Sequence, residues 1–223
     1  AAVGLASSMM LSQWATFSGG DVLEGSVFLG AGDLIGSGMA TLVNVHGDDR
    51  AWVLEGAGFA ALAGGLALSR WSTYQGSDIG LTATMMAIGA VHGSFLPGAW
   101  GEDDRDHVWA GTQAGAGAGL IAGALLSQVV DLEGLDVLEV AMMAAAGDSI
   151  AFGISQWAIF DDPSTFRALE IGGLGLTTIG LLTSPSSTFD GPDRLLVLHG
   201  ALYGTLLGGL APALWQSDDG RFD

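Results

Sequence analysis

The stretch GAGAGLIAGALLS, residues 115–127, decides how this chain is read. Gly115, Gly119 and Gly123 recur every four residues and lead to Ser127. That spacing stacks bare backbone on one face of an α-helix, whereas a strand would alternate faces at every residue. A glycine inside a helix costs roughly 1 kcal/mol against alanine, so a row of them calls for a compensating contact with another backbone. Counting back in fours from three other serines gives similar rows. Gly65, Ala61 and Ala57 precede Ser69, Ser8 and Gly4 precede Ser12, and Gly180 and Gly172 precede Ser184, with Leu176 interrupting the last.

Ser12, Ser69, Ser127 and Ser184 lie 57, 58 and 57 residues apart. Nine residues after each stands an Asp: Asp21, Asp78, Asp136 and Asp193. Two residues before each Asp is Gly19, Gly76, Gly134 or Gly191, and eleven after it Gly32, Gly89, Gly147 or Gly204. A longer period of 115 overlies this one. Asp21-Val22-Leu23-Glu24 matches Asp136-Val137-Leu138-Glu139, and Ala31-Gly32-Asp33 matches Ala146-Gly147-Asp148. Glu55 pairs with Glu170, Pro97 with Pro212 and Trp100 with Trp215 at the same interval. The chain reads as a unit duplicated, then a pair of units duplicated.

Each unit holds two apolar stretches. The first run over 1–14, 51–69, 108–130 and 167–184, the second over 21–44, 78–100, 136–158 and 193–215. Most approach the ~20 residues a helix needs to cross a bilayer core. The prediction is all-α: a polytopic membrane bundle of about eight helices, four helical hairpins in tandem, forming one domain over 1–223. The repeats fall at approximately 1–46, 47–102, 103–160 and 161–217.

Composition agrees. Of 223 residues, 49% are hydrophobic and 13% charged, and 37 are Gly; a typical soluble domain carries about 25% charge, and Gly is commoner in membrane helices. The net charge of −18 arises with six Arg and no Lys. Nucleic-acid binding is excluded, because phosphate contacts need a basic face. Without Cys, disulfides and thiolate metal sites are excluded. Neither EF-hand nor HExxH spacing occurs, and no metal or cofactor is expected. Gly117–Ala122 fits the loose GxGxxA pattern but follows no strand, so it is not a dinucleotide site. GxSxG and P-loop motifs are absent, which points away from an enzyme. The opening Ala1-Ala2-Val3-Gly4 lies inside an apolar stretch and reads as a processed or truncated end.

The Gly115–Gly119–Gly123 row resembles glycine-zipper membrane hairpins. So do the small-residue pairs Gly32–Gly36, Gly89–Gly93, Gly147–Ala151 and Gly204–Gly208. The resemblance implies close helix packing through van der Waals contact, since lipid supplies no hydrophobic drive between helices. It names no activity.

At the turns, Gly two residues before Asp is expected to take the left-handed backbone, and Asp to cap the second helix. The segments between hairpins carry Asp48-Asp49-Arg50, Asp103-Asp104-Arg105, Asp161-Asp162 with Arg167, and Asp218-Asp219 with Arg221. Trp52, Trp100, Trp109, Trp157 and Trp215 flank them as an aromatic belt, and the arginine count sets this side in the cytoplasm. An outer-membrane setting would void that orientation rule, and inner versus outer membrane is left undetermined.

Asp33 and Asp148 each lie 12 residues past a turn Asp, about 18 Å along a helix and near a bilayer midplane. A carboxylate there faces a bundle interior or a water cavity. Related by the duplication, the two are expected to face each other and to hold a proton or cation; the alternative is interhelical glue. Glu55 and Glu170 are read as helix-end polarity or as support for that pathway. The four histidines share no repeat position and read as polar packing residues. The chain is therefore expected to be a non-enzymatic pore, ion or proton pathway, or small-solute transporter subunit. The rival is a structural anchor or scaffold in a larger envelope complex. Partners are the lipid bilayer and other membrane subunits or further copies of the chain. A soluble, acid-rich helical repeat is the third reading, opposed by acids gathered at helix ends.

Overall fold

The structure, a computed structural model, describes residues 18–187 apart from 70, 75 and 159, together with positions 192, 193, 196, 199, 200 and 203. These residues are all-α, with six helices and no strand. Helix α1 spans Gly19–Leu42, α2 Asp48–Leu68, α3 Gly76–Ala99, α4 Arg105–Leu126, α5 Gly134–Trp157 and α6 Asp162–Thr183, followed by a 3-10 turn at Ser184–Ser186. By length and composition, α2, α3 and α5 are able to cross a membrane. The helices expected over 1–14 and 193–215 lie outside the described residues, save isolated helical positions such as Asp193; so do Gly191, Gly204 and Gly208.

The turn Asp caps its helix from inside it. Ser18 is the N-cap of α1; its hydroxyl accepts from the Asp21 N–H, and its own N–H donates to Asp21 Oδ2 at 2.6 Å. Glu133 and Asp136 repeat this reciprocal box at α5, with Glu133 N–H donating to Asp136 Oδ2 at 2.9 Å. Gly19, Gly76 and Gly134 are each the first residue of a helix. The left-handed conformation expected of them belongs instead to Gly47 (φ 64°), Gly101 (φ 81°) and Asn44 (φ 55°), all in the other set of connections. Helices that start at Gly leave the turn no left-handed C-cap to fill.

The helix pairing differs from the predicted hairpins. α1 packs on α2, α3 on α4, and α5 on α6, while α2 and α3 do not pack, nor do α4 and α5. The units 47–102 and 103–160 thus join helices that stand apart. The physical reason lies in the connections. Acidic first turns such as Asp48-Asp49-Arg50 and Arg105-Asp106 are helical, which cuts three links to residues 43–47, 100–104 and 158–161. The links over 69–75 and 127–133 are longer. Short links make antiparallel neighbours.

The small-residue rows sit at these contacts. A Cβ on Gly115 would lie 2.8 Å from the Gly93 Cα, and one on Gly119 3.0 Å from the Met86 Cα. A Cβ on Gly32 would meet the Ala57 carbonyl at 2.5 Å, one on Gly36 the Ala57 Cβ at 2.9 Å, and one on Gly147 the Gly173 Cα at 2.9 Å. Gly89 faces the Gly115 carbonyl in the same way. Two further faces join the pairs: α1 meets α4, with Gly38 against Ala110 and Gly117 against Ala31, and α3 meets α6 and α5. A cluster of Leu81 and Ile88 from α3, Val137, Val140 and Ala144 from α5, and Leu132 fills the α3–α5 contact.

Candidate functional site

Three titratable side chains converge where α3, α5 and α6 meet. On α3, Gly89 and Gly93 turn toward α4, and His92 is carried to a neighbouring face. His92 is 4% exposed. Its Nε2 lies 3.8 Å from Asp148 Oδ1 on α5, and its Nδ1 3.4 Å from Glu170 Oε2 on α6. His92 Nδ1, Asp148 Oδ1 and Glu170 Oε1 are buried and make no hydrogen bond. Phe95 stands edge-on to the imidazole with centroids 5.8 Å apart, and Phe166 lies 6.0 Å beyond it.

The surroundings leave this cluster acidic. Arg167, one turn before Glu170, donates its Nε–H to the Ala99 carbonyl at 2.8 Å. Gly173 on α6 provides the room: a Cβ there would lie 2.6 Å from His92 Nε2 and would also overlap Asp148 Oδ1. Thr177 anchors that turn by donating to the Gly173 carbonyl at 2.7 Å. His92, Asp148 and Glu170 lie seven, nine and eight residues from the helix ends at Ala99, Trp157 and Asp162. At 1.5 Å per residue all three sit about 10–14 Å from the same end of the bundle. Among the described residues no group of three or more His, Asp or Glu is arranged to hold a metal ion.

Of the four residues expected to line a pathway, the structure brings Asp148 and Glu170 together and leaves Asp33 and Glu55 elsewhere. Asp33 and Glu55 are exposed. Asp33 does not meet Asp148, because α1 and α5 do not pack. Instead each Asp lies over a glycine of the next helix, Asp33 over Gly58 and Asp148 over Gly173. His92, expected as a packing residue, is the group the sequence reading missed. Position 207, 115 residues on, holds Leu, so the repeat offered no signal.

A second feature lies at the opposite end. The buried Glu24 of α1 accepts a short hydrogen bond from the Ser72 hydroxyl. The pair recurs 115 residues on, where Ser187 donates to Glu139 Oε2 at 2.8 Å. Beside Glu24 a cavity of about 210 Å³ is lined by Leu23, Val27, Tyr74, Ile79 and Met86 among others. Burial, and then the Glu24 carboxylate, push the Tyr74 phenol up to about 12. On the link before α6, the Ser164 hydroxyl, and after it the Ser164 N–H that donates to Asp161 at 3.0 Å, hold that carboxyl below its usual range.

Comparison with known protein families, with curated proteins and with solved structures returns no match.

Proposed function

We propose that the chain is a non-enzymatic, membrane-embedded helical protein that forms an ion pathway. The observation that carries the reading is the convergence of His92, Asp148 and Glu170 from three helices, with buried polar atoms left unbonded. Unbonded buried polar atoms cost about 1–3 kcal/mol each, which a purely structural contact has no reason to retain. Ionisable groups in a membrane interior mark ion and proton routes.

The membrane setting is supported by α2, α3 and α5 and by the exterior. Phe59, Ile150, Ile154, Ile171 and Leu182 are 55–76% exposed, suiting lipid better than water. Trp52, Trp100, Trp109 and Trp157 are exposed near the short links, where an interfacial belt would place them. The backbone contacts through Gly89, Gly93, Gly115 and Gly119 support a glycine zipper. The recurring Glu–Ser bond and the recurring Asp-over-Gly contact support the internal duplication. The count of eight in this proposal rests, for the last two, on the apolar runs 1–14 and 193–215 of the sequence.

The test is reconstitution of the full chain in liposomes. Asp148→Asn with Glu170→Gln should cut proton, sodium or potassium flux by at least about tenfold, the low end for losing a positioned proton-transfer group. Asp33→Asn with Glu55→Gln should leave it within about twofold, because those exposed groups lie outside the cluster. Undiminished flux in the first pair would refute the assignment, and release of the protein into plain buffer would refute the membrane setting.

A second reading, an anchor or scaffold subunit, is favoured by one feature. Gly56, Ala60 and Gly64 form an exposed small-residue row on α2, and a Cβ on either glycine would touch nothing within 4 Å. A sealed protein whose oligomerisation is lost in Ala60→Leu would support that reading over the first.

A further inference from the structure

The arrangement around His92 specifies which ion the pathway carries, provided that the cluster is a pathway at all. The imidazole occupies the space between the two carboxylates, with one ring nitrogen toward each. A metal cation held there would need oxygens turned toward a common centre. Here Asp148 and Glu170 each face a ring nitrogen, and the imidazole between them is able to take a proton on one nitrogen and give one from the other. The side chains of Asp148 and Glu170 keep 24% and 14% exposure, against 5% for His92. The cluster thus has two partly open ends and a closed middle. We propose that His92 relays protons between Asp148 and Glu170, so that the transported species is the proton.

The step balances without a co-reactant. Protonated Asp148 gives its proton to Nε2 of a neutral His92 whose Nδ1 carries hydrogen. The Nδ1 proton passes to the Glu170 carboxylate. One O–H and one N–H bond break, one N–H and one O–H bond form, and the ring is left as its other tautomer. Rotation of the ring resets it, and the reverse sequence runs equally well. The present gaps of 3.4 and 3.8 Å exceed a working hydrogen bond; a tilt of about 0.5–1 Å brings either within range. Gly173, with no side chain of its own, lets the ring and Asp148 lie directly against α6. On the far side of α3, α4 presents Gly111, Gly115 and Gly119, and its own titratable residues, Arg105, Asp106 and His107, lie in its first turn; Asp148 and Glu170 are the acids that face the two ring nitrogens.

The test uses the full chain in liposomes, with a trapped pH dye for protons and separate sodium and potassium flux measurements. Wild-type protein should move protons and neither metal ion. His92→Ala should lose at least about tenfold of the proton flux, with helicity checked by circular dichroism. External imidazole should restore flux several-fold in His92→Ala, while 1-methylimidazole, which fills the same space but lacks the second exchangeable nitrogen, should not. Equal rescue by both compounds, or undiminished flux in His92→Ala, overturns the relay. Sodium or potassium flux without a pH change overturns the relay and leaves the ion pathway standing. Absence of all flux overturns the pathway and the relay with it.

Discussion

Replacing Gly115 by alanine, with Gly56→Ala as its matched control, isolates what backbone contact contributes to this bundle. A Cβ at 115 would lie 2.8 Å from the Gly93 Cα and would overlap the Gly89 carbonyl. Carbon atoms rest at about 3.5–4.0 Å, so α3 and α4 must separate locally by roughly 0.7–1.2 Å. The obstructing atoms are backbone and have no rotamer to yield. Overpacking of this kind costs about 1–3 kcal/mol, set against the roughly 1 kcal/mol that alanine gains over glycine in a helix. The net for Gly115→Ala is a loss of about 0–2 kcal/mol. At Gly56 a Cβ meets nothing within 4 Å, so only the propensity gain remains and Gly56→Ala should stabilise by about 0.5–1 kcal/mol. The gap between the two variants is then about 1–3 kcal/mol. Unfolding in detergent by SDS titration, followed by the fluorescence of the seven Trp, measures it. Equal shifts of the same sign in both variants would refute the claim that the 111–123 row exists to let two backbones touch.

Three further outcomes follow from the same geometry. Gly173→Ala places a methyl against His92 Nε2 and Asp148 Oδ1; ion flux should fall at least about tenfold while helicity is kept, and normal flux would show that this close approach is incidental. Tyr74 should ionise near pH 12, read at 295 nm in a Tyr203→Phe background, and Glu24→Gln should lower its midpoint, since the carboxylate adds to burial in raising it; an unmoved midpoint would remove Glu24 from that environment. Asp161 has a depressed folded pKa, so its capping contribution is present above the ordinary carboxylate pKa and is lost as pH falls through the folded value. Protection of the Ser164 amide, its exchange rate relative to the intrinsic rate at each pH, should therefore fall in acid, and Asp161→Ser, which caps without titrating, should flatten that dependence; an unchanged profile would discount the cap.

The helices were legible because each apolar run is long and bounded by Gly, Asp and Pro. The expected 78–100 and 136–158 became Gly76–Ala99 and Gly134–Trp157. The glycine rows were legible as packing faces for the same reason, a four-residue spacing that only a helix turns into a stripe. Which helix each row meets was not legible. A 57-residue period is unchanged whether a unit is cut before its first helix or after it, and the choice turned on link length. Acidic residues such as Asp48, Asp49 and Asp106 looked like loop, yet they sit in first turns, where the helix dipole favours negative charge. The site divides along the same line. Asp148 and Glu170 stood out as duplicated acids in apolar runs. His92 has no counterpart in the other half, and its role depends on α3 meeting α5 and α6, a contact between distant segments that no local pattern encodes.

The alternation of short links within pairs and longer tethers between them implies an order of assembly. During synthesis each antiparallel pair is complete as soon as its second helix emerges, because its partner is the segment made just before it. The α1–α4 and α3–α6 faces close later, over larger loops. His92, Asp148 and Glu170 thus come together only when the third pair docks against the second, which leaves the first two pairs unable to assemble the charged centre on their own.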